Sequence, residues 1–471
     1  MSFGRLNQPI ETRVARRFQR RGSSPPGIRD VGNVALPDNR KRFHGVHLVH
    51  DVHIIGPILA AFCIVLLNAA LVSAQIITPP TLLWTYQAGS RMYASPVVAD
   101  LSGKPGLEVL LESSEERKLI CLGANREERW TYKDFTLRIT GTPTVGGVDG
   151  DGTPEILVTT RNDGVVCLSG DGEVRWKASI EEGIPWGNAV IADTDHDGTP
   201  EVYWISTSGQ LQRRTGSGTL VWERRMPRPG PEGPLAVGDV NGDGQCEIVL
   251  GGGSNSVFCV DNKGEEVWTF RGAGTFNNGP VIADVIGTPT PQVFIASADG
   301  VFYCLEGKTG QCVWNHRTLP GRIDTTIAVG DIDGDGAREV LYGDGQGYFY
   351  CLSNRGEEKW CFKADDWIES APVLGDVDGD GEIEVILSAA NGNVYCLSSC
   401  GAIKWSFPTK KRIAASPTLC DFDQDGRVEI LIPSHNGNLY CLTCGGPWNP
   451  AKILWPCRRY DIQQTGFLPT R

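Results

Sequence analysis

The stretch Asp376-Val377-Asp378-Gly379-Asp380-Gly381-Glu382-Ile383-Glu384 decides how this chain is read. Carboxylates stand at its positions 1, 3, 5 and 9, and glycines at positions 4 and 6. Short acidic side chains on alternate residues of a tight turn converge on one point, and glycine permits the positive φ that such a turn needs. The carboxylate at position 9 closes the cage. Hard oxygen ligands in that number suit calcium far better than zinc or copper.

The pattern recurs at Asp193-Asp195-Asp197-Glu201, Asp239-Asn241-Asp243-Glu247, Asp331-Asp333-Asp335-Glu339 and Asp421-Asp423-Asp425-Glu429. With Asp376, Asp378, Asp380 and Glu384, these are the expected metal ligands. A sixth loop has Gly147 in place of its first acid, followed by Asp149, Asp151 and Glu155. Two more are eroded: one keeps Asp100 and Glu108, the other keeps Asp284 and has Gln292 at position 9. The first positions fall 45 to 47 residues apart. A lone acidic loop is usually a solvated turn, but five complete copies in phase point to bound metal.

A second series runs in step with the first. Trp84, Trp130, Trp176, Trp222, Trp268, Trp314, Trp360 and Trp405 are 45 or 46 residues apart. From the third onward each has a glycine four residues earlier, Gly172, Gly218, Gly264, Gly310, Gly356 and Gly401. Between loop and Trp lie two apolar runs, such as Glu384–Leu387 and Asn393–Leu397, and a third, Ala371–Leu374, precedes the loop. Turns such as Asn391-Gly392 separate them, so each unit reads as four short strands. Four strands in a repeat of this length mark a propeller blade. The expectation is therefore an all-β, eight-bladed β-propeller of four-stranded antiparallel blades over residues 75–471, its ring closed by a terminal strand. Leu82–Tyr86 is in phase to be the outer strand of the last blade, and Ile453-Leu454-Trp455 competes for that place.

The Trp side chains read as packing between blades, since each buries up to about 250 Å². Seven of the 15 cysteines, Cys121, Cys167, Cys259, Cys304, Cys351, Cys396 and Cys441, hold one place in the third strand and read as small hydrophobes. Disulfides Cys304–Cys312 and Cys400–Cys444 are open possibilities for an exported chain. Cys441-Leu-Thr-Cys444 reads as strand and turn rather than a redox centre.

The net charge of −12 hides an asymmetry: residues 1–74 carry ten Lys/Arg against four acids, so the remainder is strongly acidic. An acidic body argues against nucleic-acid binding, which needs clustered Lys/Arg. Residues 1–53 read as a disordered basic leader rich in Arg, Gly, Pro and Ser. The apolar residues 54–74, preceded by Arg40-Lys41-Arg42 and ending in Val72-Ser73-Ala74, read as a signal peptide or a signal-anchor helix. Either places the body outside the cytoplasm, with membrane contact only through 54–74 if that segment is retained. His44, His47, His50 and His53 read as its polar flank.

The loops with their Glu-Ile/Val-Leu strands, as in Asp376–Leu387, resemble FG-GAP (VCBS-type) repeats, the calcium-loop blades also seen in integrin α chains. The segment Tyr303-Cys-Leu-Glu-Gly-Lys-Thr-Gly-Gln-Cys-Val-Trp314 resembles the Trp-docking repeat of pyrroloquinoline quinone-type propellers. The tail Trp455-Pro-Cys-Arg-Arg-Tyr-Asp-Ile-Gln-Gln-Thr-Gly466 is similar to a segment common in secreted bacterial proteins with such repeats. The resemblance covers about residues 82–466. It implies calcium at positions 1, 3, 5 and 9 of the intact loops.

Three functions are weighed. A quinone-dependent dehydrogenase would resemble this fold, but the chain has no two consecutive cysteines and no long insertion to build a cofactor chamber. A calcium-dependent polysaccharide lyase, like the rhamnogalacturonan lyases, needs a base and cations gathered in a cleft, whereas His196, His316 and His435 are scattered. The expectation is an exported, calcium-stabilised, non-catalytic binding or scaffold module. Its partner would be an extracellular protein or a polysaccharide.

Overall fold

The apolar runs between the acidic loops become short strands because β-branched and aromatic residues fit a pleated, buried surface. The computed structural model describes residues 79–468, apart from 104, 181, 227–232, 254, 319–320, 324 and 462–463. The leader 1–53 and the apolar segment 54–74 lie outside the described residues. Among those described, no helix is long and apolar enough to cross a membrane.

Eight antiparallel sheets form eight blades. Blade 7 shows the pattern: an inner strand of three residues (Val373–Gly375), two central strands (Glu384–Ser388 and Asn393–Leu397) and an outer strand (Ile403–Pro408). Its second strand is buried throughout, while the outer strand alternates between exposed and covered residues. Central strands are sandwiched between neighbouring blades and so carry continuous apolar runs. The outer strand faces water on one side and alternates. The core is correspondingly a ring of interfaces: Leu110 and Cys121 of blade 1, for instance, pack with Ile156, Val158 and Leu168 of blade 2.

The fourth strand of the eighth sheet comes from the other end of the chain. Thr81–Gln87 lies antiparallel to Asn438–Pro447, with Trp84 opposite Cys441. Blades 8 and 1 also meet at their inner edges, where Ser416 N donates to Ser95 Oγ (3.0 Å) and Thr418 Oγ1 to Pro96 O (2.8 Å).

The alternative outer strand, Ile453–Trp455, goes elsewhere. It pairs with the inner strand of blade 7, Trp455 opposite Leu374, and Phe467–Leu468 pairs in parallel with the inner strand of blade 5, Val281–Ala283. The tail between them gives or takes hydrogen bonds at inner-edge residues of several blades. Leu419 N donates to Pro456 O (2.8 Å), Val237 N to Thr465 O (3.0 Å) and Ile282 N to Gly466 O (2.7 Å). Asn188 Nδ2 donates to Gln464 Oε1 (2.6 Å). The carboxy-terminal segment thus lies along the inner edges of the blades.

The Trp series docks one blade on the next. Trp130, Trp176, Trp222, Trp268, Trp314 and Trp360 each donate Nε1–H to a backbone carbonyl of the following blade, Trp176 to Gly216 O at 2.7 Å and Trp360 to Ser399 O at 2.8 Å. The glycine four residues before the next Trp lies against the ring. At Gly401, with φ 82°, a Cβ would come within 2.7 Å of the Trp360 ring, so only glycine fits. All cysteines among the described residues are free thiols, including Cys304, Cys312, Cys400 and Cys444. Neither proposed disulfide forms.

Candidate metal centres

Each acidic loop connects the inner strand of a blade to the second. Residue 9 opens the second strand, or in blade 8 stands third in it, opposite the last inner-strand residue: Glu384 pairs with Gly375 and Glu429 with Cys420. One carboxylate oxygen of this Glu accepts the backbone N–H of position 2, from Val148 (2.9 Å), Val240 (3.0 Å), Ile332 (3.0 Å), Val377 (2.9 Å) and Phe422 (2.7 Å). Thr194 makes the same bond to Glu201 (3.2 Å). In blade 5 the amide oxygen of Gln292 accepts it from Val285 (2.8 Å). Position 9 is thus first a turn lock, and a neutral residue performs that role too.

The Asp at position 1 folds the loop. Asp376 accepts from Gly379 N (2.7 Å) and Gly381 N (3.0 Å), and Asp331 accepts from Gly334 and Gly336 in the same way. Position 4 has positive φ even where it is not glycine, at His196 (58°) and Gln424 (59°). His196 is therefore part of a loop. His316 Nδ1 lies 2.6 Å from the Tyr342 hydroxyl, and the His435 ring rests on Tyr93.

Carboxylates converge in five loops, their ligand atoms within 4.8 Å of one another: Asp421, Asp423, Asp425 and Glu429; Asp331, Asp333 and Glu339; Asp376, Asp378 and Glu384; Asp193, Asp195 and Asp197; and Asp149, Asp151 and Glu155. The last is the loop that lacks its first acid; its Glu155 Oε1 is buried without a partner. In the Asp239 loop, Asn241 Nδ2 donates to Asp243 Oδ2 (3.0 Å) and Glu247 Oε1 (2.8 Å), while Glu201 in blade 3 is drawn to an arginine.

Side-chain cations sort these loops. In blade 7 Lys404 Nζ stands 2.6 Å from Asp378, 2.9 Å from Asp380 and 2.8 Å from Glu384. In blade 6 Lys359 Nζ lies 2.5 Å from Asp333, 3.6 Å from Asp335 and 2.8 Å from Glu339. Arg175 reaches Asp151 (3.1 Å) in blade 2, and Arg129 pairs with Glu108 in blade 1. All four immediately precede the blade's Trp. The strand pairing skips that residue in every blade: Cys396 faces Trp405 and Leu397 faces Ile403, leaving Lys404 in a β-bulge. A bulge re-aims its side chain, here toward the carboxylates. Blades 3, 4, 5 and 8 carry Val221, Val267, Val313 and Leu83 at that place. Blade 3 recovers a cation from the cysteine position of its third strand: Arg213, opposite Trp222, bonds Asp195 and Glu201 (2.6 Å to the latter).

The ligand set of blade 8 fits calcium best, with four carboxylates and no basic side chain paired to them among the described residues. Burial pushes the Glu429 carboxyl up to about 8; the Phe422 N–H works against this, and Asp423, Asp421 and Asp425 add to it. Bound calcium would supply the positive charge that this cluster lacks. Blade 4, with no lysine or arginine paired to its loop among the described residues, would hold it through Asp239, Asp243, Glu247 and the Asn241 amide oxygen. In blades 6 and 7 an ammonium stands among the ligand oxygens, and in blade 3 a guanidinium does. Sequence reasoning missed these cations, although for Lys359 and Lys404 the place directly before the Trp was a readable signal.

Family models match three parts of the chain: residues 148–204 match an FG-GAP-like repeat, 208–331 the model described as outer membrane protein assembly factor BamB, and 309–375 with 373–420 a lambda-carrageenase β-propeller domain. No curated protein matches the chain in sequence. Solved structures match its fold. BamB from Moraxella catarrhalis is 17% identical, with a TM-score of 0.56 over 78% of this chain and 98% of that one. The V. cholerae biofilm matrix protein Bap1 is 13% identical, with a TM-score of 0.60 over 80% and 92%. Saccharomyces cerevisiae Sqt1 is 10% identical, with a TM-score of 0.60 over 77% and 99%. The chain is an eight-bladed propeller, part of which matches FG-GAP-like (148–204) and BamB-like (208–331) repeats.

Proposed function

We propose that the protein is an exported, calcium-stabilised β-propeller that works as a non-catalytic binding or scaffold module. The observation that carries this reading is the blade 8 loop, where Asp421, Asp423, Asp425 and Glu429 meet within 4.8 Å and no side-chain cation among the described residues answers them. Carboxylates this close repel unless a cation joins them. Extracellular calcium modules commonly bind at about 10⁻⁴–10⁻³ M, a range that suits a protein outside the cytoplasm. The FG-GAP-like and BamB-like repeats are in keeping with such a location. Calcium would lock the turn between the first two strands and leave the rest of each blade to present a partner surface. In a thermal melt, replacing calcium with a chelator is expected to lower the transition by several degrees. An identical melt in both buffers would overturn the metal-dependent reading.

The lambda-carrageenase propeller match favours a polysaccharide over a protein partner. It also keeps a polysaccharide-degrading activity as the second reading. Incubation with pectic polysaccharide and with lambda-carrageenan in calcium separates the two. Retention on the immobilised polymer with no new reducing ends or unsaturated products supports the binding module; product release replaces it with an enzyme.

A further inference from the structure

The tail brings two adjacent guanidiniums to the inner edges of the blades. Arg459 is fully buried, at φ 62°, in a segment where Tyr460 (76°) and Gln464 (58°) share that unusual conformation. Its Nη2 donates to Leu235 O (2.5 Å) and its Nε to Gln464 O (3.2 Å). Asp461, the acid nearest in sequence, accepts from Thr465 N (3.0 Å) and from the Thr465 hydroxyl. Strain held at several non-glycine residues marks a segment whose shape the surrounding fold imposes.

Arg458 is different. It lines a partly open cavity of about 350 Å³ between the inner edges of blades 8 and 1 and the tail. Among the described residues no carboxylate or carbonyl pairs with its guanidinium. Burial lowers its pKa, and the neighbouring Arg459 is held down first by burial and then by Arg458. Arginine stays protonated in proteins, so this charge cannot be discharged. Two carboxylates line the cavity: Asp421, which accepts from Gly426 N at 3.3 and 3.2 Å, and Asp461, which is engaged by Thr465. The rest of the wall is largely apolar, with Val97, Leu107, Leu419 and Trp448, while Gln464 and Thr142 add polar edges.

We propose that this cavity is a binding site for a small organic carboxylate, its anionic group paired with Arg458 and its apolar body against Leu107, Leu419 and Trp448. A guanidinium fork matches a carboxylate in two parallel hydrogen bonds, and a half-buried, unpaired cation gains most from such a partner. The volume falls within the range of small-molecule pockets, whose few polar groups set orientation while apolar walls supply contact. The cavity shares Asp421 with the blade 8 loop, so the titration is run with that loop's calcium supplied.

The test is calorimetric titration of the full chain, in calcium buffer, with benzoate and with benzamide, which has the same ring but no charge. Benzoate is expected to bind and benzamide to bind at least roughly tenfold more weakly, the margin of one charged hydrogen-bonded pair. Arg458→Met should abolish the preference without moving the melting temperature. Leu107→Trp, which fills the cavity and leaves Arg458 in place, should abolish binding of both probes; it serves as the second variant should Arg458→Met misfold. The proposal is overturned by equal affinity for the two probes, by unchanged benzoate binding in either variant, or by no heat from millimolar benzoate in the parent protein.

Discussion

Blades 7 and 8 carry almost the same loop, but among the described residues only blade 7 sets a side-chain cation on it. Both have Asp at positions 1, 3 and 5 and Glu at 9, and both lock the turn through position 2, at 2.9 Å from Val377 and 2.7 Å from Phe422. The difference lies in another strand. The bulge before Trp405 holds Lys404, and the bulge before Trp84 holds Leu83, 43% exposed. In blade 7 burial pushes Glu384 up to about 7 while Lys404 pulls it back; in blade 8 burial and three aspartates push Glu429 up to about 8. The same acidic loop therefore occurs with a side-chain cation in blade 7 and, among the described residues, without one in blade 8. An acidic consensus by itself does not count the ions bound.

The sharpest way to break this comparison is Lys404→Met. Lys404 is 12% exposed and its partner Glu384 1%, so the substitution strands the buried Glu384 carboxylate and should cost about 3–5 kcal/mol in chelator. Calcium should restore much of that loss. Equal destabilisation with and without calcium would mean that the vacated loop cannot take an ion. Terbium luminescence excited through Trp should likewise report one more site in Lys404→Met than in the parent.

The reverse swap, Leu83→Lys, places an ammonium beside the blade 8 loop. It should remove one terbium site and shrink the chelator effect on the melt by about 1–2 kcal/mol, the linkage from one site at roughly ten times its dissociation constant. A smaller effect is expected from Asp423→Asn. It should cost about 1 kcal/mol in calcium and little in chelator, where one repelling charge is gone. The least is expected in blade 5, whose loop has the neutral Gln292 and Val313 at the bulge. Asp284→Asn should change stability by less than about 1 kcal/mol and leave calcium dependence untouched. A calcium-dependent effect there would contradict the charge-balance account.

Much of this architecture was legible before any coordinates. The Trp and loop series, each with a period near 46 residues, placed eight blades, and the alternation from apolar run to turn placed four strands in each. The turn-locking Glu was visible as a candidate ligand, though its bond to the position 2 N–H was not. Lys359, Lys404, Arg129 and Arg175 escaped because strand alternation alone does not reveal a bulge, and a one-residue shift in register sends a side chain to the other face. Arg213 escaped in another way: it stands where seven blades have cysteine, and that gap was the only mark it left.

What the residues by themselves determined, then, is the repeat: local turn chemistry and strand periodicity act within a few residues and read directly from their order. Only the tertiary structure decided which cations answer which carboxylates and where the tail goes. Those outcomes depend on contacts between residues far apart in the chain, Leu235 with Arg459 and Asn188 with Gln464 among them. Burial then made the choice matter, because a charge removed from water must find its partner inside the fold or bring one in.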